Sequence, residues 1–335
     1  MGLKLKDLKD QVIVITGASS GIGLATARMA AEKGAKVVAA ARNEDALREL
    51  VEELSSKGHE AIFVVADVGK EEDVNKIAET AIEQFGRFDT WVNDAAVTIF
   101  GHMMDVTIED MKRMFDTNFW GVVYGMRAAV RHYKERGVPG AIVNVGSLYG
   151  DRGVVLQSTY SAAKFAVHGM TENLRMEMEK EKAPVSISLI HAGRIDTPYN
   201  EHARSYTEKQ PAHIGMVYTP EVVAEAILYC AAHPKRDMYV GAQAKMTALL
   251  GRGAPRFTDK LMEVLIYPTQ LANRPSRPRE DSALYEAGYG MEERGTNKGW
   301  IRKRSYYVQA TKRPVLTLVA LASVGALVWN AAKNK

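Results

Sequence analysis

The chain reads "VIVITGASSGIGLATARMAAEKGA" from Val12 to Ala35. Its opening β-branched run stops at Gly17, which predicts a short buried strand. Ile22, Ala25, Met29 and Ala30 then recur at helical spacing, and Gly34 closes that helix. Between the two lie Gly17, Gly21 and Gly23, spaced G-x-x-x-G-x-G. A strand that turns directly into a helix aims backbone N–H groups and the positive helix end at one point. Glycines there let a dinucleotide pyrophosphate approach where any Cβ would collide. A tight strand–helix turn also favours glycine for its own sake, so the turn alone does not name a ligand.

Outward from this unit the alternation continues. "KVVAAAR", "EAIFVVADV", "DTWVNDAA", "GAIVNVGS" and "VSISLIHAG" read as strands, separated by helices such as "EDALRELVEELSSKG", one spanning Asp110–Tyr133 and one starting at Tyr160. Strands alternating with helices of ~10–15 residues mean βαβ units and a parallel sheet covered on both faces. The expected fold is therefore α/β, a doubly wound, three-layer Rossmann-type sheet forming one large domain over residues 1–267. Residues 268–313 are rich in Pro, Gly and charge without a period, and read as a linker or a surface-wrapping segment. Residues 314–332 are nearly all apolar. The eighteen positions of "VLTLVALASVGALVWNAA" would span about 27 Å as a helix, which suits a membrane anchor or a helix docked on protein. Trp329 at one end and "RKRSYYVQATKR" before the other resemble interfacial flanks.

Composition narrows the function classes. Hydrophobic residues at 46% allow a sizeable core, and the single Cys230 excludes an intrachain disulfide. The net charge of +4 is unevenly spread: residues 273–313 hold ten Lys/Arg against five Asp/Glu, and Lys333 and Lys335 add two more cations. The first 272 residues are thus mildly acidic, which argues against a nucleic-acid-binding core. No metal-ligand spacing is present, so no metal is expected. His168 and His191 read as packing or pocket-lining residues.

Further landmarks accompany the glycine turn: "ADV" at 66–68, "NDAA" at 93–96, "TNFWG" at 117–121, "VGSLYG" at 145–150, "YSAAK" at 160–164 and "HAGRIDTP" at 191–198. Together they resemble the short-chain dehydrogenase/reductase family from Gly17 to Thr197. The resemblance implies a nicotinamide dinucleotide held by Gly17, Ser19, Ser20, Gly21, Ile22 and Gly23, by Asp67 and Val68 at the adenine, by Asn93 and Ala95, and by Gly193, Ile195 and Thr197. The family usually reads N-N-A-G at 93–96, so Asp94 and Ala96 depart, and Ala192 replaces its usual proline. The catalytic set implied is Asn118, Ser147, Tyr160 and Lys164. Tyr160 and Lys164, at i and i+4, share one helix face, where an ammonium would stabilise a phenolate. The resemblance makes Tyr160 the general acid/base, Lys164 the group that lowers its pKa and binds the ribose, Ser147 the orienter of the substrate oxygen, and Asn118 the holder of a relay water.

Cofactor choice follows from the end of the second strand. An NAD-type site places an acid there, whereas a 2′-phosphate needs a cation. The acid's place is Ala41 and the next residue is Arg42, so NADP(H) is expected over NAD, unless Arg42 is simply a solvated charge at the helix start. The residues after Ser147 (Leu148, Tyr149, Val154, Val155, Leu156, Gln157) and those at 198–220, with Ile214, Met216 and Tyr218, suggest a largely apolar substrate wall. The reading is reduction of a neutral, hydrophobic ketone or aldehyde by NADPH, with alcohol oxidation as the reverse. A silent NADP-binding sensor and a related epimerase are the competing readings. The resemblance implies a homodimer or homotetramer. The catalytic domain is expected in the cytoplasm, tethered to a membrane if residues 314–332 insert.

Overall fold

The computed structural model describes residues 3–313 and Thr317. The apolar run expected as an anchor therefore lies outside the described residues. Among the described residues, no helix is long and apolar enough to cross a membrane.

Seven strands form one sheet: β1 (Val12–Thr16), β2 (Lys36–Ala41), β3 (Ala61–Val65), β4 (Thr90–Asn93), β5 (Gly140–Val145), β6 (Val185–Ala192) and β7 (Asp237–Val240). Their spatial order is β7-β6-β5-β4-β1-β2-β3, and every pairing is parallel. The order reverses between β1 and β4, which opens a crevice at the carboxyl ends of the strands. The fold expected from the sequence is thus the fold present.

The period of two along each strand divides the core. Ile13, Ile15, Val37 and Ala39 face one layer, built from α1 (Gly21–Glu32), α2 (Glu44–Ser56) and α7 (Pro220–Ala232). Val12, Val14, Val38 and Ala40 face the other, built from α3 (Glu71–Phe85), α5 (Gly121–Arg136) and α6 (Ser158–Lys180). Cys230 is buried within α7, and burial pushes its thiol up to about 12, so it behaves as a small hydrophobe.

The helix expected over Asp110–Tyr133 is interrupted. α4 (Ile108–Phe115), capped by the Thr107 hydroxyl on Asp110 N, passes through a π-turn at Asp116–Trp120 before α5 begins. Residues 268–313 are laced onto the domain. Leu271–Pro275 pairs antiparallel with Lys209–Pro211, Ile301–Arg302 pairs parallel with Val217–Tyr218, and Leu284 and Val308 are fully buried.

Candidate active site

The crevice at the switch point is built first by the glycine turn. Gly17 sits at φ +75°, a left-handed conformation that disfavours side chains, and a Cβ there would lie 2.8 Å from the Ala95 Cα. A Cβ on Gly23 would strike the Gly17 carbonyl and approach Asp94 Oδ2 at 3.0 Å. The turn is thereby folded tightly against the end of β4, with α1's N-terminus open towards the cleft. Thr16 Oγ1 fixes that junction, accepting from the Asp94 and Ala95 N–H groups at 3.1 and 3.2 Å.

One cleft gathers nearly the whole expected set. Gly23, Asn93 and Asn118 are the members that do not line it. Asn93 points into the helix layer instead, donating to Asn144 Oδ1 at 2.8 Å and accepting from Trp91 Nε1 at 2.8 Å, so it ties β4 to β5. Asn118 is fully buried in the π-turn, and both ends of its amide bond the Val97 backbone at 2.8 Å. π-turns of this kind recur at functional sites, and here the turn brings Asn118 against the loop that follows β4.

Tyr160 and Lys164 emerge from the first turns of α6. Burial pushes the Tyr160 phenol well above its usual range, opposed in part by hydrogen bonding with the Ser147 and Tyr199 side chains. Lys164 is 3% exposed, donates to the Val145 carbonyl at 2.8 Å, and its Nζ stands 5.6 Å from the Tyr160 ring centre. Burial draws its ammonium down to about 8, against the pull of Asp94. The sequence led us to expect Lys164 to depress the tyrosine. In the structure burial dominates the phenol, and the Lys164 ammonium is itself desolvated and committed to the Val145 carbonyl. Asp94 is raised to about 7, burial again winning over Lys164 and the Gly23 N–H.

Behind Ser147 lies a second polar cluster. His191 Nδ1 meets Asp151 Oδ2 at 2.7 Å, His168 Nδ1 lies 3.6 Å from Asp151 Oδ1, and His168 Nε2 accepts from Ser147 N at 3.4 Å. Burial disfavours the charged form of His191, but hydrogen bonds to Asp151 and Asp237 more than reverse this and raise its pKa. Burial would also raise Asp151, yet the two imidazoles hold it well below the usual carboxylate range. Both histidines pack, as the sequence suggested, and His168 also braces the turn that carries Ser147.

Of the expected segment after Ser147, only Tyr149 lines the cleft. Leu148 and Val154 pack into the core beneath Tyr160, Leu156 joins a separate apolar cluster, and Ile214 is exposed. From the expected 198–220 stretch Pro198, Tyr199, His202 and His213 line it, and Thr98 joins them. The Tyr199 ring stands edge-on to Tyr160 with centres 5.5 Å apart, and burial lowers His213 to about 3, leaving it neutral. Residues 283–289 close the adenine side, which the polar sequence there does not signal. Arg113, also unforeseen, pairs with Asp67 at 2.5 Å.

The lining fits a nicotinamide dinucleotide. The glycine cradle has no room for side chains, and five polar atoms on the cleft's lining residues (Thr117 Oγ1, Arg194 Nη2, His202 Nε2 and both ring nitrogens of His213) are buried without protein partners among the described residues. The chain matches the short chain dehydrogenase family model over residues 11–208. It is 72% identical over 333 residues to an uncharacterized oxidoreductase, YxnA, of Bacillus subtilis, covering 99% of this chain and 93% of that one. A short chain dehydrogenase/reductase of Burkholderia phymatum solved with NAD superposes with a TM-score of 0.69 at 26% identity, covering 76% of this chain and 96% of that one. An alcohol dehydrogenase of Thermococcus sibiricus solved with 5-hydroxy-NADP gives 0.60 at 27% identity, over 69% and 94%. Matching motifs, sheet order, cleft and relatives converge on one conclusion: the chain is an oxidoreductase of the short-chain dehydrogenase/reductase family, built around a nicotinamide cofactor.

Proposed function

We propose that the protein reduces the carbonyl of a neutral, fairly hydrophobic ketone or aldehyde with NADPH. The observation that carries this reading is the arrangement of one cleft: Arg42 at the adenine end, and Ser147, Tyr160 and Lys164 at the other. Ser19, Ser20, Ile22 and the α1 N-terminus would hold the pyrophosphate, and Gly193, Ile195 and Thr197 the nicotinamide end. Asp67 is paired with Arg113, whereas Arg42 meets no carboxylate within salt-bridge distance among the described residues, so Arg42 is the cation suited to take a 2′-phosphate. When bound, the cofactor supplies the hydride.

The chain's own residues handle the proton and the carbonyl. Ser147 and Tyr160 would hydrogen-bond the substrate oxygen, which both polarises the carbonyl and fixes its orientation. A phenol held protonated by burial is an acid, and its proton passes from Tyr160 Oη to the oxygen as the carbonyl is reduced. Lys164 stabilises the phenolate left behind and would bind the ribose hydroxyls. Both amide ends of Asn118 are committed to Val97, so a relay water would rest on its main chain. Tyr149, Tyr199 and Pro198 offer apolar surface beside Tyr160, which suits a lipophilic substrate.

Assembly as a homodimer or homotetramer is part of this reading. Phe165 and Met176, eleven residues apart on one face of α6, are 46% and 57% exposed, and Trp120, in the π-turn that packs on α6, is 45% exposed. A reducing, cytoplasmic compartment suits both NADPH and a chain with one buried cysteine. The test is a panel of ketones and aldehydes assayed separately with NADPH and NADH. Turnover of hydrophobic carbonyls with NADPH is expected. Strict use of NADH, or turnover of small hydrophilic sugars only, refutes the reading.

A further inference from the structure

Residues 283–293 run across the adenine side of the cleft as a strap, anchored along its length. Leu284 is fully buried, and the Tyr285 hydroxyl donates to Asp110 Oδ1 at 2.7 Å. Asn43 Nδ2 donates to the Gly288 carbonyl at 2.9 Å. The Met291 N–H donates to the Ser19 carbonyl at 2.8 Å, and Gly21 N–H to the Glu292 carbonyl at 2.9 Å. Glu293 pairs with Arg28 at 2.7 Å. The strap lies beyond the family match, which ends at residue 208.

Three consecutive carbonyls of the strap converge on Arg42. Nη2 donates to Ala283 O at 2.6 Å, and Nη1 to Tyr285 O at 3.0 Å and Leu284 O at 3.5 Å. Arg113 Nε reaches the same Leu284 carbonyl at 3.2 Å, but its charge is taken by Asp67. The two arginines are therefore held differently. Arg113 is neutralised by a carboxylate, while Arg42 is gripped by uncharged oxygens that fix the guanidinium and leave its charge in place. Nη1 and Nη2 face the strap, so Nε has no protein partner among the described residues.

We propose that the strap is a specificity device: carbonyls 283–285 pre-position Arg42 so that its remaining N–H edge meets the 2′-phosphate of NADP(H). This rests on the NADPH reading above. An arginine free in water loses rotamer freedom when it grips a phosphate, and holding it beforehand removes that loss. Preference for NADPH over NADH then depends on three main-chain carbonyls that hold the arginine and do not themselves bind the phosphate. Because the strap also bonds Ser19 and Gly21, it ties this arginine to the turn that would carry the pyrophosphate.

The test is fluorescence titration of the full-length protein with NADPH and with NADH, with no substrate present. A Cβ on Gly290 would overlap Ala46 Cβ and lie 3.0 Å from the Ser19 carbonyl, so Gly290→Val pushes the strap outward. Tyr285→Phe is the milder variant, removing one anchor and little packing. Both are expected to weaken NADPH binding, about tenfold for Gly290→Val and less for Tyr285→Phe, while NADH affinity holds. Unchanged NADH affinity shows at the same time that the variants are folded. Arg42→Ala is the reference and should abolish the preference. If Arg42→Ala loses the preference and both strap variants keep it, the strap's role is overturned and the NADPH reading stands. A wild type that binds both cofactors alike overturns both.

Discussion

Tyr160 and Lys164 show how burial decides residue chemistry. The i,i+4 spacing was legible in the sequence, and so was the company of Ser147. The depth of burial was not, because desolvation depends on everything packed around the pair. Asp94, standing where the family usually has Asn, supplies a negative charge that helps Lys164 keep its proton near pH 8. Reduction needs that ammonium to stabilise the phenolate, so activity should fall as pH rises above about 8. Asp94→Asn removes the supporting charge, and the alkaline limb of the pH–rate profile should move to lower pH. An alkaline limb at the same pH in both proteins would show that Lys164 does not set it.

At the scale of elements, the turn after β5 depends on the cluster behind it. Asp151 is depressed, so its contribution to stability is present above its unfolded value of ~3.9 and is lost as pH falls. His191 is raised, so its contribution is full below ~6.5 and is lost as pH rises through its folded value. The pair therefore stabilises most in mildly acidic solution. His191→Ala should cost about 3 kcal/mol there, since it leaves a buried carboxylate facing one imidazole. Thermal unfolding across pH checks this: the gap between variant and wild type should narrow above neutrality, and a constant gap would contradict the ion pair. The π-turn at Asp116–Trp120 is the other element the sequence hid. Its residues (Asp-Thr-Asn-Phe-Trp) are weak helix formers but carry no Gly or Pro break, so periodicity runs α4 into α5, and the bonds between Asn118 and Val97 mark the change.

At the scale of the molecule, the sheet was legible because period-two strands and glycine-closed helices alternate without interruption from Val12 to Ala192. The strap was not, because main-chain hydrogen bonds hold it and its only deep anchor, Leu284, is a single apolar residue in a polar run. The substrate wall was legible in part: the 198–220 stretch supplies Tyr199 and His213, but its apolar residues Ile214 and Met216 do not line the cleft. Exposed Phe165 and Met176 predict self-association through α6, and Phe165→Glu should lower the sedimenting mass to a smaller species. A wild type that sediments as a monomer would contradict this. The proposed reduction depends above all on Tyr160 as the acid of a hydride-transfer site. Its most direct test is single-turnover oxidation of bound NADPH by a reactive ketone, comparing wild type with Tyr160→Phe after measuring NADPH affinity in both. Affinity should be unchanged and the rate should fall by about 10²–10⁴-fold. Equal rates in the two proteins would contradict the assignment.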